Sequence, residues 1–500
     1  MMGGDVESNR LDKLEEKRPV TRINAPRDAR PVRAPSSPPS PPSPRPDSRP
    51  DSPPDSPPDS PPDSRLSRAP RRGFAAAALG TAALAAAAAL TAPAASAGPD
   101  IHPPGLPCGY TVEVIERPEC PYPYSPASIH VSGLNESGVV VGSRHQCIEV
   151  LRYNPWIWHP GDTTPTDLPI PGHVVSARAY DINDHGVVVG EFRQDPDHSA
   201  PWWGFVYDTT TGEWTELEPV DPDGSGHASA NAINNAGVVA GTRSIGEAQN
   251  PYNAFIWSPD DGYTDLGVME GPYSAAQSIS DAGVFAGWTG NTLTNSTAFL
   301  SDDPDNGTVK IGAIEGGNTS NVREVNDSGR VAGSGRKLNE SGGLVWQRGY
   351  HWLDGEFAVL DPLPGYTHSG SAAINNEDFV VGMSANMGPL VFRATIWPGD
   401  IPIDLNTMID VDNIYLSEAM RVNDAGQILC KAAHGSTSVG VLLTPIEAPL
   451  GDLTGDCEVG AGDLGLLLSE WGNPDSSADL TGDGTVGGAD LGVLLSNWTQ

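Results

Sequence analysis

Basic side chains are scarce in this sequence: 29 Lys and Arg face 64 Asp and Glu, a formal net charge of -35. The scarcity deepens past residue 97, because residues 1–97 hold 14 of the basic and 11 of the acidic groups. The remainder therefore carries 29 − 14 = 15 against 64 − 11 = 53, a net of -38. Such a surface repels nucleic acid and anionic membranes and attracts divalent cations. Cysteine is also rare. Five residues permit at most two bridges and leave at least one free thiol. Cys108, Cys120 and Cys147 fall near the start of the patterned region, and a pairing among them is expected if the compartment is oxidising. None of the five has the His or Asn context of a nucleophile. The 11 histidines are scattered, and no His-Glu-x-x-His, nucleophile elbow or phosphate loop is present. The apolar fraction is modest while Gly (57) and Pro (48) are abundant, which favours many short strands and turns over large helices.

What is present is a repeat. Asp181-Ile182-Asn183-Asp184-His185-Gly186-Val187-Val188-Val189-Gly190 returns in variant form with its first turn residue at Asn135, Asn234, Ser280, Asn326, Asn375 and Asn423. Successive steps are 48, 51, 46, 46, 49 and 48 residues. Each copy predicts a hairpin: an Asn side chain bonds its own backbone two residues on, the Gly three positions later supplies a positive φ, and the β-branched flanks run as strands. The closing glycines (Gly142, Gly190, Gly241, Gly287, Gly333, Gly382) leave room for a neighbouring backbone. An aromatic segment, a turn and an Asp-Leu segment follow, as in Ala254-Phe255-Ile256-Trp257 and Asp265-Leu266-Gly267. Equivalents occur at Trp156–Trp158, Gly204–Tyr207, Ala298–Leu300 and Thr395–Trp397. Four strands repeated at this interval predict an all-β fold, a seven-bladed β-propeller over residues 109–444. The seventh unit stops after one strand beyond its hairpin, and Gly109–Ile115 alternates like a strand ahead of the first. The N-terminal strand is therefore expected to complete the last blade and remove the open edges.

These residues resemble the HAF-repeat family of extracellular proteins, whose unit pairs Ile-Asn-x-x-Gly-x-Val-x-Gly with Ala-Phe-x-Trp and Asp-Leu-Gly. The likeness spans about residues 132–443. The His that often precedes Ala-Phe there is replaced by Asn253 and Thr297. The resemblance implies secretion and a β-rich repeat fold, and no reaction.

Ahead of the repeat, residues 1–69 are charged and proline-rich, with Asp-Ser-Pro-Pro recurring from Asp51, and are expected to be disordered. Residues 70–97 read as an export signal: Arg71-Arg72 precede an alanine-rich apolar run to Leu90 and the small-residue site Ala95-Ser96-Ala97. The arginine pair resembles a twin-arginine signal, and its distance from Met1 leaves open a later start. Retained rather than cleaved, residues 74–97 would form a membrane anchor.

After a short linker, residues 451–500 repeat at 27 residues. Asp452, Thr454, Asp456, Glu458 and Asp463 align with Asp479, Thr481, Asp483, Thr485 and Asp490 at loop positions 1, 3, 5, 7 and 12, with position 7 offering its backbone carbonyl. This oxygen-rich pattern is what a Ca2+ loop requires. Each loop opens an amphipathic helix with Leu464, Leu467, Leu468 and Trp471, or Leu491, Leu494, Leu495 and Trp498, at i, i+3, i+4 and i+7; the two stripes are expected to form the module's core, with calcium aiding folding. The module resembles a type I dockerin, whose duplicated α-helical loop-helix binds calcium and docks onto cohesin. Thr454 and Thr481 stand where that family has Asn. Cys457 replaces the sixth-position Gly of the first loop, which makes that loop the weaker expected site. Ala461-Gly462 and Gly488-Ala489 replace the Ser-Thr pair many dockerins present to their partner.

The acidic residues at predicted turns read as turn formers. Trp156, Trp158, Trp202, Trp203, Trp257 and Trp397 could line a carbohydrate-binding surface, although repeat-equivalent ones are expected to pack between blades. The leading reading is a secreted, non-catalytic propeller attached by its calcium module to a cohesin-like or cell-envelope protein, with no nucleic-acid partner. The alternative is a dockerin-bearing hydrolase or lyase acting on polysaccharides.

Overall fold

The computed structural model describes residues 106–116, 129–145, 152–195, 201–219, 226–244, 252–267, 271–292, 295–302 and 307–499. The expectations for residues 1–69 and 70–97 lie outside this range, as do Cys120 and Cys147. The strands form seven four-stranded antiparallel sheets, the blades of a seven-bladed β-propeller. The first blade runs Ile129–Leu134, Val140–His145, Tyr153–Trp158 and Thr166–Asp167, and the second Ser176–Ile182, Val187–Arg193, Trp203–Asp208 and Trp214–Leu217. The seventh consists of Ile414–Val422, Ile428–His434 and Thr437–Ile446, with Gly109–Ile115 as its outermost strand. That N-terminal strand pairs along its whole length, from Gly109 opposite Ile446 to Ile115 opposite Gly440. The fifth blade takes its outer strands from Leu344–Leu353 and Glu356–Leu360, which lack the Ala-Phe-x-Trp signature and carry Gly349-Tyr350-His351-Trp352 instead.

Each hairpin turn forms as its residues dictate. Asn183 Oδ1 accepts from the N–H groups of His185 (3.1 Å) and Val187 (2.9 Å), and Gly186 closes the turn at φ 77°. In the sixth blade Asp378 occupies the glycine's place at φ 63°. The closing glycine is steric in origin: a Cβ on Gly190 would meet the Arg178 carbonyl oxygen at 1.9 Å. Every innermost strand also carries a register shift in its C-terminal half, a bulge that leaves one residue unpaired and re-aims its side chain. In the second blade that residue is Tyr180.

The same asparagines join the blades. Asn135 Nδ2 donates to the Asn183 carbonyl, Asn183 to Asn234 and Asn234 to Ser280, at 3.0–3.2 Å. Asn326 donates to Asn375, Asn375 to Asn423, and Asn423 to Asn135 across 288 residues, each at 3.0 Å. This buried belt closes the ring with one break, because the Ser280 side chain is too short to reach onward and its Oγ is buried without a partner. Ser280→Asn should complete the belt and raise stability by about 1 kcal/mol, the net worth of one added hydrogen bond. A denaturation midpoint at or below that of the unsubstituted protein would refute this.

Candidate functional site

In the C-terminal module, α1 spans Ala461–Ser469 and α2 spans Gly488–Ser496. The loop before each helix folds around the carboxylate at position 1. Asp452 accepts from the N–H groups of Gly455, Asp456 and Cys457, and Asp479 from those of Gly482, Asp483 and Gly484. The last loop residue caps the helix: Asp463 bonds Gly460 N at 2.7 Å, Asp490 bonds Gly487 N at 2.7 Å, and both are buried. Burial pushes the Asp463 carboxyl up, but the N–H donors of Gly460, Thr454 and Leu453 and the Thr454 hydroxyl outweigh it and hold it below the usual range. The Gly487 N–H, with the Thr481 donors, holds Asp490 at about 2.

Oxygens of Asp452, Asp456 and Asp463 converge within 4.8 Å of one another, as do those of Asp479, Asp483 and Asp490. Thr454 and Thr481 join them, with Oγ1 3.0 Å from Asp463 and 2.9 Å from Asp490. The position-7 side chains turn away from these clusters: Thr485 Oγ1 bonds the Gly484 carbonyl and Glu458 is exposed, leaving position 7 its main-chain oxygen. Three converging carboxylates and a hydroxyl form a hard-oxygen set that fits a divalent cation of calcium's size.

The module's core differs from the expected stripes. Val459, Leu467, Ala478, Val486 and Leu494 are buried, with Leu453, Leu464, Leu480 and Leu491 packed against them. Leu468 and Leu495 are each 52% exposed, Trp471 49% and Trp498 38%. The helices end at Ser469 and Ser496, so neither tryptophan continues its stripe, and the position-8 valines fill the core instead. The result is a Leu-Trp pair left in solvent at equivalent places in both halves.

Of the pairings expected among Cys108, Cys120 and Cys147, those that use Cys108 are corrected, and that of Cys120 with Cys147 lies outside the described residues. Cys108 is bonded to Cys457 across 349 residues, because the closing strand begins beside the first loop once the ring is shut. Cys457 holds the loop's sixth position at φ 68°, where the second loop has Gly484 at φ 90°. Cys430 is free and buried.

On the propeller, the turn face carries a second belt. Glu136, Asp184, Asn235, Asp281, Asp327, Asn376 and Asp424 surround the channel mouth, and each side chain accepts a backbone N–H from a neighbouring blade at 2.7–3.0 Å. These carboxylates are committed to holding the ring. Inside the channel wall, burial raises Glu324 to about 7 despite the Arg421 charge.

The opposite face is chemically different. Between the third and fourth blades a cavity of about 590 Å³ is lined by Tyr252, Tyr273, Trp288 and His227 with the amides of Asn231 and Gln277. Trp288 was not among the six tryptophans named from the sequence, whose repeat-equivalent members were expected to pack between blades. Trp156, Trp158 and Trp397 are buried, the first two in a cluster shared by the first and seventh blades, and Trp257 and Trp203 are partly buried against core clusters. Where the first blade meets the second and the seventh, a cavity of about 330 Å³ gathers His130, Tyr153, Arg178, Tyr180 and Lys431. Arg178 lies 4.0 Å from the Tyr153 ring centre and 4.6 Å from that of Trp202, and Arg193 stacks on Trp202 at 3.9 Å. No linear motif announces this cluster, since its members come from separate strands. Among the described residues no helix is long and apolar enough to cross a membrane.

Residues 124–266 match a family described as a protein of unknown function, DUF3466. No curated protein matches. Solved structures similar to this chain include the β-propeller domain of the Trilobed protease from Pyrococcus furiosus, at 10% identity and TM-score 0.43, covering 63% of this chain and 95% of that one. YCF48 bound to D1 peptide is similar at 10% identity and TM-score 0.40, covering 68% and 97%. Polysaccharide lyase Uly1 is similar at 9% identity and TM-score 0.31, covering 64% and 78%.

Proposed function

We propose that this is an exported propeller attached to a partner protein, at the cell surface or in an extracellular assembly, by a calcium-loaded, dockerin-like C-terminal module. The observation that carries the reading is the module's duplication of both chemistries: two convergent carboxylate clusters and two exposed Leu-Trp pairs, Leu468 with Trp471 and Leu495 with Trp498. Bound calcium would set the loops from which the helices spring, and exposed apolar side chains in so small a module suit a protein interface. The Cys108–Cys457 bridge supports an oxidising compartment.

Titration of calcium into the intact protein should release or absorb heat at two sites, and Asp452→Asn with Asp479→Asn should abolish it. Retention on the producing cell's envelope should be lost on chelation and with Trp471→Ala and Trp498→Ala together. No heat at all, or retention indifferent to both treatments, would overturn the reading.

A second reading, a propeller that itself acts on a polysaccharide, is favoured by the titratable cluster where the first blade meets the second and the seventh and by the aromatic and amide-lined cavity on the same face. Aromatic rings with neutral hydrogen-bonding groups are the chemistry on which sugar rings stack.

A further inference from the structure

The cavity shared by the first, second and seventh blades differs from the rest of this acidic protein in charge and in the kind of side chain it collects, with Lys431 supplied by the seventh blade. His130 comes from the innermost strand of the first blade and His145 from the end of its second strand. Tyr153 starts the third strand, and Arg178 and Tyr180 come from the innermost strand of the second blade. Each lies toward the end of its strand away from the asparagine turns or, for Tyr180, at the bulge. The rings are close without filling the space: His145 and Tyr153 are 4.5 Å apart between centroids, His130 and His145 6.0 Å, His130 and Tyr153 6.3 Å.

Arg178 and Lys431 line the cavity, and their carboxylate partners, Glu191 at 3.1 Å and Glu418 at 2.8 Å, stand outside its lining, so the wall itself presents cations where the whole chain is strongly negative. Two buried donors or acceptors in this region, His145 Nδ1 and Arg193 Nε, have no hydrogen-bond partner. A cationic wall with unsatisfied polar atoms beside it is the chemistry that receives an anion.

The titratable groups are tuned in complementary directions. Burial, then the nearby His145, Lys431 and Arg178, pushes His130 down, and burial and Arg178 do the same to His145, so both imidazoles are unprotonated at neutral pH. Burial and Glu191 push the Tyr180 phenol up, and its hydroxyl bonds Glu191 and Arg178, so it keeps its proton. A neutral base and a protonated acid beside fixed cations form an acid-base pair.

We propose that this cavity binds a uronate residue of an acidic polysaccharide and cleaves the chain beside it by β-elimination. The inference rests on the second reading above, that the propeller acts on a polysaccharide. Arg178 and Lys431 hold the uronate carboxylate and stabilise the charge that develops on it. His130 takes the proton from C5, the C5–H electron pair becomes the C4–C5 double bond, and the C4–O bond to the departing chain breaks. Tyr180 delivers its proton to the leaving oxygen, and the proton on His130 restores the phenol by way of solvent. One chain becomes two, one with an unsaturated uronate end. No water is consumed and nothing is oxidised or reduced.

The test incubates the full-length protein with polygalacturonate, alginate and hyaluronan. The expected result is growth of the ultraviolet absorbance of the unsaturated uronate with at least one of them. His130→Ala and Tyr180→Phe should each slow it by about a hundredfold or more. Tyr180→Phe removes a single oxygen, so its thermal midpoint serves as the folding control. Arg178→Met should raise KM more than it lowers kcat. New reducing ends without an absorbing product would keep the polysaccharide reading and overturn elimination. Absence of cleavage of all three polymers would overturn both, as would an absorbing product whose rate is indifferent to His130→Ala and Tyr180→Phe.

Discussion

Asp490→Ala is expected to unfold the second half of the C-terminal module whether or not calcium is supplied. Three donors converge on this one carboxylate: Gly487 N at 2.7 Å, Thr481 N at 3.0 Å and Thr481 Oγ1 at 2.9 Å. The substitution leaves those groups without their acceptor, removes the cap of α2 and deletes one of three convergent carboxylates from the second cluster. A core of five buried apolar side chains has little surplus to absorb such a loss. The counterpart, Asp463→Ala, should do less damage, because the Cys108–Cys457 bridge holds the first loop whatever its metal state. Limited proteolysis of the intact protein distinguishes the two. Cleavage beyond residue 478 should accelerate by at least an order of magnitude in Asp490→Ala, while the propeller stays resistant. Equal protection of Asp490→Ala and the unsubstituted chain would show that the carboxylate is dispensable.

Features that a single repeat unit determines were legible in the chain. Asn183 with Gly186 dictates a turn, and five such pairs with two variants, at Ser280 and at Asp378, recurring at 46 to 51 residues beside a spare strand at Gly109–Ile115, dictate the blade count and its closure. The convergence of the loop carboxylates was equally plain, because Asp452, Asp456 and Asp463, like Asp479, Asp483 and Asp490, sit within 12 consecutive residues. What escaped depends on contacts between distant segments. The turn asparagine was assigned a local role, yet its Nδ2 spans to the next blade, a second function that has no sequence period of its own. Cys108 meets Cys457 only because the ring closes. His130, His145, Tyr153 and Tyr180 look scattered until two blades stand side by side, so the lack of a catalytic motif was no argument about catalysis. The stripe through Trp471 and Trp498 was overextended for a different reason: periodicity continues past Ser469 and Ser496, but the helices do not, and a heptad count alone cannot locate a helix end.

Closure should dominate the stability of the propeller. Ile115, the last residue of the N-terminal strand, is fully buried in a cluster with Trp156 and Trp158 of the first blade and Leu429 and Leu442 of the seventh. It therefore sits on the seam that the ring must shut, where Asn423 also bonds the Asn135 carbonyl and Asp424 N bonds Glu136. Ile115→Asp places a carboxylate among indoles and aliphatic side chains with no cation recorded in the cluster, and loses the apolar burial as well. The expected cost is about 4 kcal/mol or more, seen as a lower denaturant midpoint. Thr111→Asp, on an exposed position of the same strand, controls for added charge and should change stability by less than about 0.5 kcal/mol. Because Ile115→Asp weakens the seam alone and leaves the packing between the other blades untouched, the seam should fail before the other blade contacts. The opening then appears as an early loss of protection in Gly109–Ile115 and Thr437–Ile446 by hydrogen exchange, ahead of the second to fifth blades. Uniform loss of protection around the ring, or an Ile115→Asp protein as stable as its parent, would mean that the N-terminal strand decorates a propeller whose six other blades already hold it shut.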